Sequence, residues 1–207
     1  MANEITRLLP FRQYDENDVI NFYSLDEITG QAGSVVQVSS ANLDTATPNY
    51  VTRTDSNSWD ATQGHALSLY PEVPYEVSKV DGTGATVRPL GILLRDVRSV
   101  DENGENMLYY PEKKEELQCV VSGEAVPVAT KGLFTINTKG LAGGVAPALN
   151  SLAVPSTDGK LTGIAHGSAV QAQKDVAVGK FIATGQRESK SDTDAFAGSY
   201  AILKLEL

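Results

Sequence analysis

The sequence predicts an all-β protein built around a small barrel or sandwich. Windows of helical length are scarce, because 18 glycines and 9 prolines interrupt the 207 residues. Between the interruptions lie short runs rich in Val, Ile, Thr and Tyr, which favour strands. Turn signals at Asp81-Gly82, Asn103-Gly104 and Asp158-Gly159 separate several of these runs, since glycine supplies the positive φ that tight turns require.

The expected strands share a short length, β-branched or aromatic residues and flanking turn residues. They are Ser34–Val38, Tyr75–Val80, Leu90–Val97, Leu117–Val121, Ala125–Val128, Leu133–Asn137, Leu152–Val154, Lys180–Thr184 and Ser199–Leu205. The alternating segment Tyr200–Leu207 predicts a strand paired into a sheet. One short helix is expected at Asp15–Phe22, where acidic residues would favour the N-terminal end. The number and spacing of these strands are typical of a sandwich or barrel.

Two segments do not fit a compact barrel. Residues 1–30 carry isolated apolar residues among acids, which predicts an extended N-terminal arm. Residues 31–74 include a long irregular stretch rich in Ser, Thr, Asn and Asp, which predicts a connecting segment and an interaction loop. Residues 75–207 then form the predicted β-barrel domain.

The charge balance excludes one class of partner. Asp and Glu number 26 against 17 Lys and Arg, a net charge of -9, and residues 1–103 carry most of the excess acid. Such a surface repels phosphate backbones, so no nucleic-acid partner is expected. No basic start followed by an apolar run resembles a signal peptide, and no apolar segment approaches the roughly 18 residues of a membrane span. We therefore expect a protein made in the cytoplasm that has no membrane partner.

Residues suited to chemistry are few. Cys119, His65 and His166 are the only soft metal ligands, and their spacing fits no zinc site. No G-x-S-x-G motif is present, and Cys119 lies in an apolar run, where a thiol behaves as a small hydrophobe. The sequence therefore predicts no catalytic residue, no metal and no cofactor. A β-barrel hydrolase that uses either histidine as a base is the least favoured alternative.

Three motifs in the second half of the chain resemble a known family. Pro89–Val97 reads as a glycine, an apolar run and an acidic turn; Gln118–Val128 holds two apolar runs separated by Ser122-Gly123-Glu124; and Val178–Gly185 ends in Ala-Thr-Gly before the last strand. Their order is similar to the small β-barrel decoration, or cement, proteins of tailed-bacteriophage capsids. The resemblance implies a non-enzymatic virion protein on the outer capsid surface that bridges neighbouring major capsid protein subunits. It also implies a homo-oligomer, with a trimer favoured over a dimer.

Under this reading the apolar residues of the arm would enter pockets on the capsid. They are Ile5, Leu8, Leu9, Phe11, Tyr14, Ile20, Phe22 and Tyr23. Aromatic residues of the polar loop would supply further contacts, at Tyr50, Trp59 and Tyr70. The same loop aromatics support the alternative function, a receptor- or glycan-binding module of a tail or surface fibre.

Overall fold

A computed structural model describes residues 7–27, 29–40, 75–84, 86–107, 111–188 and 197–207. It confirms the all-β prediction, because strands dominate the described ranges and helices are few and short. The strands are β1 (Leu8–Gln13), β2 (Val19–Ile20), β3 (Ser24–Leu25), β4 (Val35–Ser40), β5 (Glu76–Lys79), β6 (Pro89–Leu93), β7 (Asp96–Arg98), β8 (Cys119–Val121), β9 (Val128–Ala129), β10 (Lys131–Asn137), β11 (Leu152–Pro155), β12 (Leu161–Ile164), β13 (Gly179–Arg187) and β14 (Gly198–Glu206).

The helical elements are short. The described ranges contain two α-helices, α1 (Pro111–Glu116) and α2 (Gln171–Asp175). They also contain 3-10 turns at Glu16–Asp18, Thr138–Gly140, Ala142–Gly144 and Thr157–Gly159. The charged run that forms α1 gave no helical expectation. The helix expected at Asp15–Phe22 is wrong, because only one 3-10 turn forms before the chain enters β2. Val19 and Ile20 pair there with Ala129 and Val128, so tertiary pairing overrides the acidic helix-start signal.

Sheet A contains six strands in the order β1-β10-β14-β13-β11-β12. Its long central pair, β13 and β14, is antiparallel, and β14 also pairs along its length with β10. This confirms the strand predicted at the end of the sequence. Replacement of Gly179 would break the sheet locally, since a Cβ there would collide with the carbonyl oxygen of Lys204.

Sheet B contains six strands in the order β2-β9-β6-β4-β5-β3 and is curled. Its two edge strands are joined by residues 21–23 alone, so from Ile20 to Ser24 the chain spans at most about 14 Å. Five strand spacings in a flat sheet would separate those edges by about 24 Å. The edges must therefore approach each other, and the carbonyl of Tyr23 indeed accepts a hydrogen bond from Val126 N at 2.8 Å, just before β9. Sheet B is a half-barrel.

Sheet B is buried on both faces. Val35 and Ile92 point toward sheet A and join its Phe134, Phe181 and Leu203 in the larger core cluster. The next residue along each strand points the opposite way, as the period of two requires. Those residues join the second cluster, which the parallel pair β7–β8 covers; it comprises Leu25, Val36, Val77, Leu93, Val97, Val120, Val126 and Val128.

The boundaries predicted at residues 30 and 75 do not separate structural units in the described ranges. Strand β1 belongs to sheet A, whereas β2 and β3 belong to sheet B. Strand β4, from the predicted connecting segment, lies in the middle of sheet B between β6 and β5. From residue 8 onward the predicted arm is therefore part of the folded body.

The turn signals had mixed outcomes. Asp158-Gly159 joins the antiparallel strands β11 and β12, and Asn103-Gly104 lies inside the bridge between Val100 and Asn106, so both turns form as predicted. The tight hairpin expected at Asp81-Gly82 is wrong, because β5 and β6 do not pair with each other. Each instead pairs with one side of β4.

Candidate functional site

The predicted contact residues of the N-terminal segment divide into buried and exposed groups. Leu8 and Leu9 are buried by this chain's own fold, and Leu8 belongs to the larger core cluster. This corrects their assignment as contact residues, since neither side chain is free to enter a partner's pocket. Ile20 and Tyr23 are half-buried, and Ile5 lies outside the described residues.

Three aromatic side chains of the same segment are exposed: Phe11 by 56%, Tyr14 by 41% and Phe22 by 46%. Tyr14 is held in place by stacking on Phe134, with ring centroids 5.7 Å apart. Phe22 stacks on Tyr75 at 4.7 Å with an interplanar angle of 12°. Because three large aromatic side chains within twelve residues remain exposed, this segment is a candidate contact surface. We call these three residues the N-terminal aromatics.

An open groove of about 600 Å³ is lined by one of the N-terminal aromatics, Tyr14. Its lining combines apolar and charged side chains: Arg12, Tyr14, Glu16, Val19, Asn21, Ala32, Leu94, Arg95, Asp96, Leu117, Gln118 and Pro127. Phe11 and Phe22 are chain neighbours of lining residues. A shallow groove of mixed polarity suits an extended protein segment better than a small enclosed ligand.

Arg12 is fixed at the groove by the backbone. Its Nε donates to the carbonyl of Leu9 at 3.2 Å, and its Nη1 donates to the carbonyl of Leu94 at 3.2 Å. Burial lowers the pKa of Arg12, while the charges of Tyr14 and Asp96 act in the opposite direction. A guanidinium remains protonated at neutral pH regardless, so the groove keeps this positive charge.

A second cleft, of about 380 Å³, is held together by an ion-pair network. Arg7, only 5% exposed, donates from Nη2 to Asp158 Oδ2 at 2.6 Å and from Nη1 to Ser34 Oγ at 3.0 Å. Lys79 Nζ reaches the other carboxylate oxygen of Asp158 at 2.8 Å. The network joins the start of β1, strand β5 and the β11–β12 turn, so we assign it a role in stabilising the fold.

The Asp158 carboxylate responds to this environment. Burial alone would raise the pKa of Asp158, but the hydrogen bonds and charges of Lys79 and Arg7 outweigh burial and hold the pKa below its ordinary value. Its backbone φ of 56° lies in the left-handed region, which Asp tolerates better than most residues. The residue is thus an ionised structural turn residue at neutral pH.

Asp101 organises the turn at the far side of the same cleft. Its Oδ1 accepts hydrogen bonds from Asn103 N and Glu105 N, each at 2.8 Å. Burial would raise the pKa of Asp101, yet the two backbone hydrogen bonds and nearby Lys113 lower it. Within the described ranges, no three His, Cys, Asp or Glu side chains are grouped so that they could hold a metal ion.

The residues considered for catalysis are dispersed. Cys119 is buried, and its Sγ lies 3.8 Å from Met107 Sδ in a small apolar cluster, which confirms the predicted role as a hydrophobe. Burial raises the pKa of the Cys119 thiol, so it is protonated at neutral pH. His166 is exposed in the turn after β12, and His65 lies outside the described residues.

The predicted loop contacts Tyr50, Trp59 and Tyr70 also lie outside the described residues. The structure does describe the residues on either side of this segment. Ser40 and Glu76 are paired across β4 and β5, so the chain leaves and rejoins sheet B at neighbouring positions. Tyr75, which stacks on Phe22, is the first described residue after that segment.

Two features were not anticipated from the sequence. The Arg7–Asp158 pair joins residues 151 positions apart, and no local signal reveals such a contact. Lys131, Lys180 and Lys204 come together on one face of sheet A, which the alternation of β14 indicates only once its partners are known.

Comparisons with protein-family models, with curated proteins and with solved structures found no match to this chain. Among the residues that the structure describes, no helix combines the length and apolar character needed to cross a bilayer.

Proposed function

We propose that this chain is a non-enzymatic virion protein that decorates the outer surface of a tailed-phage capsid. It would stabilise the capsid by bridging neighbouring major capsid protein subunits as a homo-oligomer, with a trimer favoured over a dimer. The observation that carries the proposal is the exposure of Phe11, Tyr14 and Phe22, of which Tyr14 lines an open groove. The β-rich half-barrel and the resemblance of three strand motifs to capsid decoration proteins support it.

Capsid binding by an already folded N-terminal segment differs in its entropy cost from binding by a disordered arm. Ordering a disordered arm on binding costs roughly 1–2 kcal/mol of backbone entropy per residue. The described N-terminal segment is already part of both sheets, so its aromatics are presented without that cost. Each large side chain that becomes fully buried at the capsid contributes about 1.5–3 kcal/mol. Repetition of this modest contact around one oligomer then yields firm attachment through effective concentration.

The test uses capsids of the phage that encodes the chain, prepared with and without the protein. We expect mass spectrometry to find the chain on complete heads, and heads that lack it to release DNA at lower temperature. Absence of the chain from purified heads, or equal stability of the two preparations, would overturn the proposal.

A variant pair tests the aromatic contacts. The double substitution Phe11→Ala and Phe22→Ala should lose about 3 kcal/mol or more of docking free energy, roughly a 100-fold weaker association with heads. The matched control is Leu149→Ala with Val170→Ala, which removes two apolar side chains of similar or greater exposure elsewhere. Equal binding by the two double variants would place the contact away from the N-terminal aromatics.

A second function is favoured by one observation, the exposed parallel stack of Phe22 on Tyr75. Stacked aromatic rings are suitable platforms for the apolar faces of sugars, as in the alternative of a receptor- or glycan-binding module. A glycan array compares the native chain with Phe22→Ala and Trp59→Ala. A reproducible glycan signal that either substitution abolishes would favour this alternative over capsid decoration.

A further inference from the structure

The outer face of sheet A carries a group of lysines. Phe134, Phe181 and Leu203 point into the core, so the alternating residues of the same strands point outward. On β10, β14 and β13 these are Lys131, Lys204 and Lys180, and we call this surface the lysine face. Thr135 and Asn137, further along the same side of β10, are buried, so the exposed part is the end with the lysines.

The register creates an electrostatic conflict on this face. Lys180 and Lys204 are directly opposite each other across β13 and β14, a position where like charges destabilise a sheet. Lys204 is relieved by Glu206, 3.0 Å from its Nζ. Among the described residues, Lys131 and Lys180 form no ion pair. The hydrogen bond and charge of Lys204, followed by the charges of Lys180 and Lys131, lower the pKa of Glu206, so one carboxylate serves three lysines and the face stays positively charged.

Apolar side chains surround the lysines. Leu133 lies opposite Lys204 on the β10 side, and Ile202 is the next outward residue of β14. Ile182 is exposed at a bulge of β13 between Phe181 and Ala183. The lysine face therefore combines positive charge with partly exposed apolar area.

Charge identifies the occupant. The lysine face, with Lys131, Lys180, Lys204 and Glu206, carries a net charge of +2. Because the whole chain carries -9, its remaining residues carry -11. The rest of a second copy therefore carries a net negative charge that complements the lysine face. We propose that the lysine face docks onto an acidic surface of a second copy of this chain. The inference deepens the proposed function, because it assigns the contact through which the decoration oligomer forms.

The proposed contact between copies is compatible with a cyclic oligomer. Joining two different patches of the same chain is a heterologous interface, which closes into a cyclic oligomer when the rotation per subunit permits. Its attraction depends on exposed charges, so salt weakens it. The test is therefore the oligomeric state of the full chain, measured by light scattering after size exclusion at about 0.05 M and about 1 M salt.

We expect an oligomer at low salt that dissociates at high salt. Lys180→Glu with Lys204→Glu should be monomeric at both, with association at least about tenfold weaker than that of the native chain. Lys139→Glu with Lys174→Glu changes the charge equally at two exposed lysines away from this face, and should associate like the native chain. Far-ultraviolet circular dichroism verifies the fold, and Lys180→Gln with Lys204→Gln replaces the glutamate pair if that pair does not fold.

A native chain that is monomeric at low salt overturns the proposal and points to an acidic surface on another protein. An oligomer that persists in the lysine-face variants, or that ignores salt, overturns it as well and places the contact elsewhere. Head binding is measured separately. Native chain that oligomerises through the lysine face but is absent from heads contradicts the proposed function alone. Native chain that binds heads as an oligomer, with assembly unaffected in the lysine-face variants, contradicts this inference alone.

Discussion

Two groups of charged side chains in this protein have opposite surroundings. Around Asp158, the cations Arg7 and Lys79 meet a carboxylate within 2.8 Å, and Arg7 is almost completely buried. On the lysine face, Lys180 lies directly across from another lysine and is exposed. The first group joins segments distant in the sequence and acts within the chain. The second places like charges opposite each other, which costs stability within the chain. The comparison therefore separates charges that stabilise the fold from charges that do not.

The largest expected effect comes from removing the buried cation. Arg7→Met eliminates hydrogen bonds to Asp158 and Ser34 and leaves their oxygens without that donor. We expect a loss of about 2–3 kcal/mol in the free energy of unfolding, below the usual cost of breaking a buried pair, because Asp158 keeps Lys79. Urea denaturation measures it. Lys180→Gln serves as the control and should change stability by less than about 1 kcal/mol; equal losses in the two variants would erase the distinction.

Acid should weaken the first group. The folded-state pKa of Asp158 lies below its unfolded value of about 3.9, so its ionic contribution is present above that value and is lost as pH falls through the folded pKa. Asp158→Asn removes that contribution while keeping a residue tolerant of positive φ. Since Asp158 is 47% exposed, the contribution is at most about 1 kcal/mol.

Thermal unfolding followed from neutral pH to about pH 3 should show a shallower decline for Asp158→Asn than for the native chain. Asp175→Asn, which removes an exposed carboxylate that accepts a hydrogen bond from Gln171, is the matched control. Parallel curves for native chain and Asp158→Asn would mean that other carboxylates dominate the acid response.

The smallest effect has the opposite sign. Lys180→Gln removes the like-charge pair with Lys204, so the isolated chain should gain about 0.2–1 kcal/mol at low salt. Added salt screens the repulsion and should shrink the gain. The measurement is the unfolding midpoint at dilute concentration, where association does not contribute. A destabilised Lys180→Gln would show that Lys180 has a favourable role within the chain.

Strands were predictable where their residues carried a strong local pattern. The alternation of Ile202, Leu203 and Lys204 predicted β14, and the apolar run around Phe134 predicted β10. Strand partners were not predictable, because β5 and β6 pair with β4 rather than with each other despite the Asp81-Gly82 signal. Short strands such as β2 and β3 are stabilised by pairing with distant segments and leave almost no pattern of their own.

The candidate site was predictable only in part. The apolar residues between Leu8 and Phe22 were recognised as unusual, but composition does not distinguish those that the chain itself buries. Leu8 lies opposite Ile136 in sheet A, whereas Phe11 falls where the β1–β10 register shifts, and its side chain is left exposed. The lysine face likewise depends on register, since Lys180 and Lys204 become opposed only when β13 and β14 pair with a bulge after Phe181.

The position of β14 in sheet A has a consequence for how the chain folds. Strand β14 lies between β10 and β13 and pairs with both, although it follows every other strand in the sequence. During synthesis, β10 can pair with β1 early but gains its second partner only after β14 has been made. Contacts between segments so far apart in sequence make folding slow. The half-barrel can close earlier, since all its strands precede β10. The pairing of sheet A is therefore completed only when β14 is available.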